Sequence, residues 1–122
     1  IFDNLYHESL HQKLLIQILL GKIFKESDEF LHSNPLIFIP WRAISWEIEH
    51  ALQAAFVYGH LYQTRLQYSL TLDPGIELNN MIEATTYSKN NAVYLLGELL
   101  KFQNFFTEEA LNLIKNLALK CQ

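Results

Sequence analysis

Residues 41–70 read WRAISWEIEHALQAAFVYGHLYQTRLQYSL, and the spacing of their apolar members decides the fold. At 100° per residue, Trp41, Ile44, Ile48, Ala51, Leu52, Ala55, Gly59, Tyr62 and Leu66 fall within about 100° of arc, so this segment is apolar along one side. That period predicts a single helix over 41–70, with Pro40 fixing its first turn. Ala51, Ala55 and Gly59 on the stripe are small and admit a second helix backbone at close range.

Downstream, Asp73-Pro74-Gly75 reads as a turn that also starts a helix, Asp73 as N-cap and Pro74 at the first position. Leu78, Met81, Ile82, Thr85, Ala92, Val93, Leu96, Leu99 and Leu100 share one face, which predicts a continuous helix over about 75–103 despite the polar run from Thr85 to Asn91. Lys89 alone interrupts this stripe with a charge, and its ammonium is expected to reach solvent or pair with a carboxylate. Thr107 followed by Glu108 and Glu109 predicts a last helix over 108–120, its early carboxylates matching the helix dipole. Upstream, residues 2–24 read as a helix apolar on nearly every side, as in a central or interfacial helix. A short turn of helix over 28–33 follows, and Asn34-Pro35 breaks it. Leu36-Ile37-Phe38-Ile39 is strand-like but has no second apolar run to pair with, so it reads as an extended connector. The expectation is an all-α fold, an antiparallel bundle of four to five helices, with residues 1–122 forming one helical domain.

Composition narrows the function. The 122 residues are 50% hydrophobic and only 18% charged, against about 25% charged in a typical soluble domain, so some apolar surface is expected to meet a partner. A net charge of −4 with nine scattered Lys and Arg residues disfavours nucleic acid. The uncharged stretch from Ala51 to Thr64 falls well short of the ~20 residues that span a bilayer. Cys121 is the only cysteine, so no internal disulfide forms and the usage suits a reducing, cytoplasmic setting. A first residue of Ile1 rather than Met is what a trimmed chain, or a domain cut from a longer one, would show.

Three patterns bear on catalysis. His7-Glu8-Ser9-Leu10-His11 resembles the H-E-x-x-H motif of zincin metalloproteases over five residues. It departs from them around the motif: only six residues precede His7, and Lys13 stands where that family favours an apolar side chain. Glu8 with His11, Glu29 with His32 and Glu47 with His50 repeat an E-x-x-H spacing that resembles, in part, the ligand pairs of ferritin-like di-iron bundles. Arg42 with His50 resembles the Arg/His pair of helical RNases of the HEPN type, but with one residue too many between them. No Gly-rich phosphate loop or matched nucleophile and base accompanies these patterns.

The side of the 41–70 segment opposite its apolar stripe carries Trp46, Glu49, His50, Gln53, Phe56, Val57, His60 and Gln63. Aromatic and aliphatic groups set among amides are typical of a recognition surface. The sequence therefore predicts a non-enzymatic protein-interaction module, of the adaptor, chaperone, immunity or assembly-factor type, that needs no cofactor. It would dock a protein partner or a second copy of itself through that face. The alternative is a metal-dependent helical enzyme with Glu8, His11, Glu47 and His50 as ligands, and a third reading is a small-ligand pocket using His50, Tyr58 and Lys89.

Overall fold

The computed structural model describes residues 35–121 together with Lys13, Ile23 and Phe24. The short helix expected over 28–33, and all but three residues of the one expected over 2–24, lie outside the described residues. Five elements follow in order: strands β1 (Leu36–Ile39) and β2 (Ile44–Glu47), then helices α1 (Ile48–Ser69), α2 (Ile76–Leu100) and α3 (Glu108–Lys120). A 3₁₀ turn over Gln103–Phe105 joins α2 to α3.

The two strands correct the all-α expectation. β1 and β2 form an antiparallel hairpin in the register Leu36↔Glu47, Ile37↔Trp46, Phe38↔Ser45 and Ile39↔Ile44. The four-residue loop between them is closed by the Ile39 carbonyl, which accepts from both Arg42 N (3.1 Å) and Ala43 N (2.8 Å). Ala43 then adopts φ 56°, a left-handed conformation that redirects the chain and is incompatible with continuing a helix. The helix expected from Trp41 therefore starts only at Ile48, and the described part of the molecule is three helices with a hairpin rather than a bundle of four to five helices. Pro40 belongs to the turn, not to a first helical turn. The partner run missing from the sequence reading is Ile44-Ser45-Trp46-Glu47, in which Ile44 also fits the helical stripe and Trp46 its opposite side.

The later helices follow the sequence more closely. α1 ends at Ser69 and α3 spans the expected residues, with Thr107 Oγ1 accepting from Ala110 N at 3.2 Å. α2 starts at Ile76 after Gly75 and makes no side-chain cap, so Asp73 and Pro74 lie in the preceding loop. Its polar middle stays helical because the hydroxyls bond back along the helix: Thr85 Oγ1 donates to the Met81 carbonyl (2.6 Å) and Ser88 Oγ to the Ala84 carbonyl (3.0 Å). Arg65 of α1 reaches across and donates to Ser88 Oγ at 2.6 Å.

One apolar cluster joins the inner side chains of the hairpin, Ile37 and Ile39, to Ala51, Ala55, Leu95, Leu96, Leu99 and Ile114 of the helices. The Thr107 amide donates to the Ile23 carbonyl at 2.9 Å, and the Phe24 and Phe106 rings stack at 5.4 Å. α3 sits so close to α1 that a β-carbon added to Gly59 would stand 2.8 Å from Leu117 Cδ1. Among the described residues, no helix is long and apolar enough to cross a membrane.

The helical Gly59 and Gly97 should respond oppositely to added bulk. Gly59→Val forces branched atoms into Leu117 and should cost about 2 kcal/mol or more. Gly97, with open space around its α-carbon, should accept alanine with a gain of about 0.5–1 kcal/mol from helix propensity. Urea unfolding of both variants checks the pair, and equal effects would contradict the packing described.

Candidate functional site

The hairpin turn places Trp41 at the centre of an aromatic cluster. Its indole meets Trp46 of β2, Tyr58 of α1 and Tyr94 of α2 edge-on, at centroid distances of 6.4, 6.2 and 5.7 Å. Edge-to-face contacts of this kind add about 0.5–1.5 kcal/mol each beyond area burial. Tyr94 also donates its hydroxyl to the Phe38 carbonyl at 2.6 Å, so α2 holds β1 directly. Tyr58 packs against Tyr87 at 6.1 Å. Burial pushes the Tyr58 hydroxyl up from the usual phenolic range, Tyr87 adds to the rise, and the N–H groups of Asn91 and Trp41 oppose it. Neither Trp41 Nε1 nor Asn91 Nδ2 completes a hydrogen bond, although both are buried.

On the outer side of this cluster, Trp46 stacks on His50 at 4.2 Å with the rings 12° from parallel. The stack forms a ridge between two open depressions. One, of about 200 Å³, is lined by Arg42, Trp46, His50, Ala54, Val57, Tyr58 and Leu61. The other, of about 350 Å³, is lined by Glu47, Glu49, His50 and Gln53. The first has an apolar floor with cationic and imidazole groups at its rim; the second is acidic and polar.

The eight residues singled out from the sequence do not share one free face. Trp46, Glu49, His50 and Gln53 gather at the ridge. Phe56 and Val57 are buried, Val57 forming part of the floor of the first depression. His60 and Gln63 are half-buried, and His60 lies edge-on to Phe56 at 4.5 Å. Burial lowers the His60 pKa below the usual imidazole value, helped by the charges of Lys120 and Lys13.

For the metal alternative, Glu47 and His50 line the same depression, whereas Glu8 and His11 lie outside the described residues. Among the described residues, no three His, Cys, Asp or Glu side chains converge as a ligand set would. The ligand reading is split: His50 and Tyr58 share a depression, while Lys89 stands elsewhere, over the Tyr62 ring at 5.9 Å.

Sequence reasoning missed Trp41 as a site residue and paired Arg42 with His50 only in an RNase-like pattern, because it placed Trp41 and Arg42 on a helix; Arg42 and His50 line one depression. The available signal was the pair of short apolar runs 36–39 and 44–46 flanking Pro40, which marks a hairpin when both are read with a period of two.

Protonating His60 is harder in the folded chain than in the unfolded one, so the folded state binds fewer protons just below the ordinary imidazole pKa. Stability should therefore fall as pH drops through about 6.5. His60→Gln should flatten that slope, measured as the difference in unfolding free energy between mildly alkaline and mildly acidic buffer. A slope unchanged by the substitution would remove His60 as its source.

No family model, curated protein or solved structure matches this chain.

Proposed function

We propose that the chain is a protein-interaction module that receives a segment of a partner at the Trp46–His50 ridge. The observation that carries this reading is the depression beside the ridge, where Ala54, Val57, Leu61 and Tyr58 offer an apolar floor beneath Arg42 and His50. A floor of that kind takes an aliphatic or aromatic side chain, and the rim favours a neighbouring carboxylate, because a guanidinium binds carboxylates with two parallel hydrogen bonds. The ridge is preorganised: Trp46 is held between Trp41 on one side and His50 on the other. Rigid aromatic anchors lose little entropy on binding, which is why tryptophan and arginine dominate interface hot spots.

The acidic depression on the far side of His50 supports the same polarity of recognition. Glu47 and Glu49 would repel a carboxylate placed there, so the partner's acid is steered to the Arg42 side. A chain whose one thiol is the buried Cys121 suits the reducing cytoplasm as its place of work.

Selection of short random peptides on the immobilised protein should return sequences with an apolar residue close to Asp or Glu. Trp46→Ala should weaken the selected peptides by about tenfold or more, equivalent to about 1.4 kcal/mol. Arg42→Glu, at an exposed position, should shift the preference toward Lys and Arg while helicity is retained. Peptides without the acidic and apolar pairing, or binding that survives both substitutions, would refute the reading.

A further inference from the structure

The helical hairpin of α1 and α2 extends past the core. The last buried residue of α1 is Tyr62 and the first of α2 is Thr85, so Gln63–Ser69 and Ile76–Ala84 project beyond it by about 10 and 13 Å at the rise of an α-helix. This projection carries large apolar groups in water: Leu66 is 41% exposed, Ile82 48% and Leu70 81%.

Leu66 and Ile82 line a groove of about 220 Å³ together with Tyr62, Thr85, Thr86 and Lys89. Leu70, four residues after Leu66, lies within about 40° of it around the α1 axis and so extends the same side. α3 fills the neighbouring stretch of the α1–α2 surface, where Leu117 meets Gly59. It ends at Cys121, within the field of the Lys89 ammonium. Beyond Lys89, among the described residues, no element covers the groove, at a point where an additional helical element would continue the packing that α3 begins.

We propose that the occupant is the same projection of a second copy of this chain, laid antiparallel across a two-fold axis near Ile82. Charge supports that arrangement. The turn at the tip carries the exposed Asp73, and the inner end of the groove carries Lys89. Lys89 follows Ile82 by seven residues and Asp73 precedes it by nine, so a two-fold axis near Ile82 brings each copy's Asp73 toward its partner's Lys89. An isologous contact repeats every favourable pair. A parallel arrangement would put tip carboxylate against tip carboxylate.

Apolar exposure favours a contact here as well: Leu66, Leu70 and Ile82 set three large aliphatic side chains in water on this projection. This pairing uses a different face from the Trp46 ridge and stands or falls separately from it.

Sedimentation equilibrium of the full chain from micromolar concentration upward should show a reversible dimer. Ile82→Asp should raise the dissociation constant at least tenfold, with circular dichroism unchanged. Leu70→Asp, at the more exposed position, provides the same test if the first variant folds poorly. Asp73→Lys and Lys89→Glu should each weaken the dimer, and the double variant should restore it. A monomer across the range, or a dimer indifferent to both apolar substitutions, overturns the proposal. Failure of the double variant to recover overturns the antiparallel register. Arg42→Glu should leave the dimer constant unchanged, which keeps this result distinct from peptide binding at the ridge.

Discussion

The close approach of α1 to its neighbours is the constraint on which the described fold depends. Ala51 and Ala55 are fully buried and Gly59 is pressed against Leu117, so α1 presents almost no side-chain bulk over two turns. Close packing is possible there, and α1–α2 is the most extensive contact among the described elements. That closeness is also why α2 can carry Thr85, Ser88 and Asn91 as its three buried polar residues. Larger groups would hold the helices apart, and the Thr85 and Ser88 hydroxyls satisfy themselves on the preceding turn of their own helix, whereas Asn91 Nδ2 does not. Arg65 then adds a cross-helix hydrogen bond at the point where the core gives way to the projecting hairpin. Small residues with the bonded hydroxyls of Thr85 and Ser88 set a fixed separation, whereas a purely aliphatic seam would allow sliding.

From that pair of helices the position of the ridge follows. Tyr58 and Tyr94 stand on the α1–α2 surface facing the hairpin, and Trp41 enters between them because the left-handed Ala43 turns the chain back after it. β2 must then run toward the start of α1, with Trp46 two residues before the helix and His50 one turn into it. Their stacking therefore bridges a strand-to-helix junction. A hairpin of two four-residue strands has little stability alone. Here it is anchored by the inward Ile37 and Ile39, by Trp41 and by the Tyr94 bond to the Phe38 carbonyl. Rigidity at the ridge thus comes from the helices beneath it.

The spans of α3 and most of α1 and α2 were legible in the sequence because their apolar period is sustained over many turns, and Thr107 announced its helix as an N-cap. The hairpin was not. Trp41, Ile44 and Ile48 fit a helical stripe as well as Ile37, Ile39, Ile44 and Trp46 fit paired strands. Over so few residues the two periods cannot be separated by counting. What decides between them is long-range: the aromatic pocket on α1 and α2 that receives Trp41, which no local window contains. The same reason explains why the eight residues of the predicted face do not all stay together. Trp46, Glu49, His50 and Gln53 do come together, but Phe56 and Val57 are taken up by the core. An angle around one helix says which residues share a side, and nothing about which neighbour covers that side.

Tyr58 shows how the site trades stability for definition. Leaving the N–H groups of Trp41 and Asn91 without full hydrogen bonds costs about 1–3 kcal/mol each when no acceptor is near. Both groups oppose the rise that burial imposes on the Tyr58 hydroxyl pKa, without completing a hydrogen bond. A phenylalanine at position 58 would fill the same space but take that hydroxyl away, and a tryptophan replaced by phenylalanine at position 41 would remove one of the two unsatisfied donors. Hairpin placement therefore rests on the edge-to-face ring contacts of Trp41 and on the Tyr94 bond to the Phe38 carbonyl, since rings alone slide over one another at small cost while polar atoms do not. Because Trp41 also supports Trp46, these contacts set the ridge above the floor formed by Val57 and Leu61. The aromatic packing around Tyr58 therefore shapes the exposed depression that we assign to a partner.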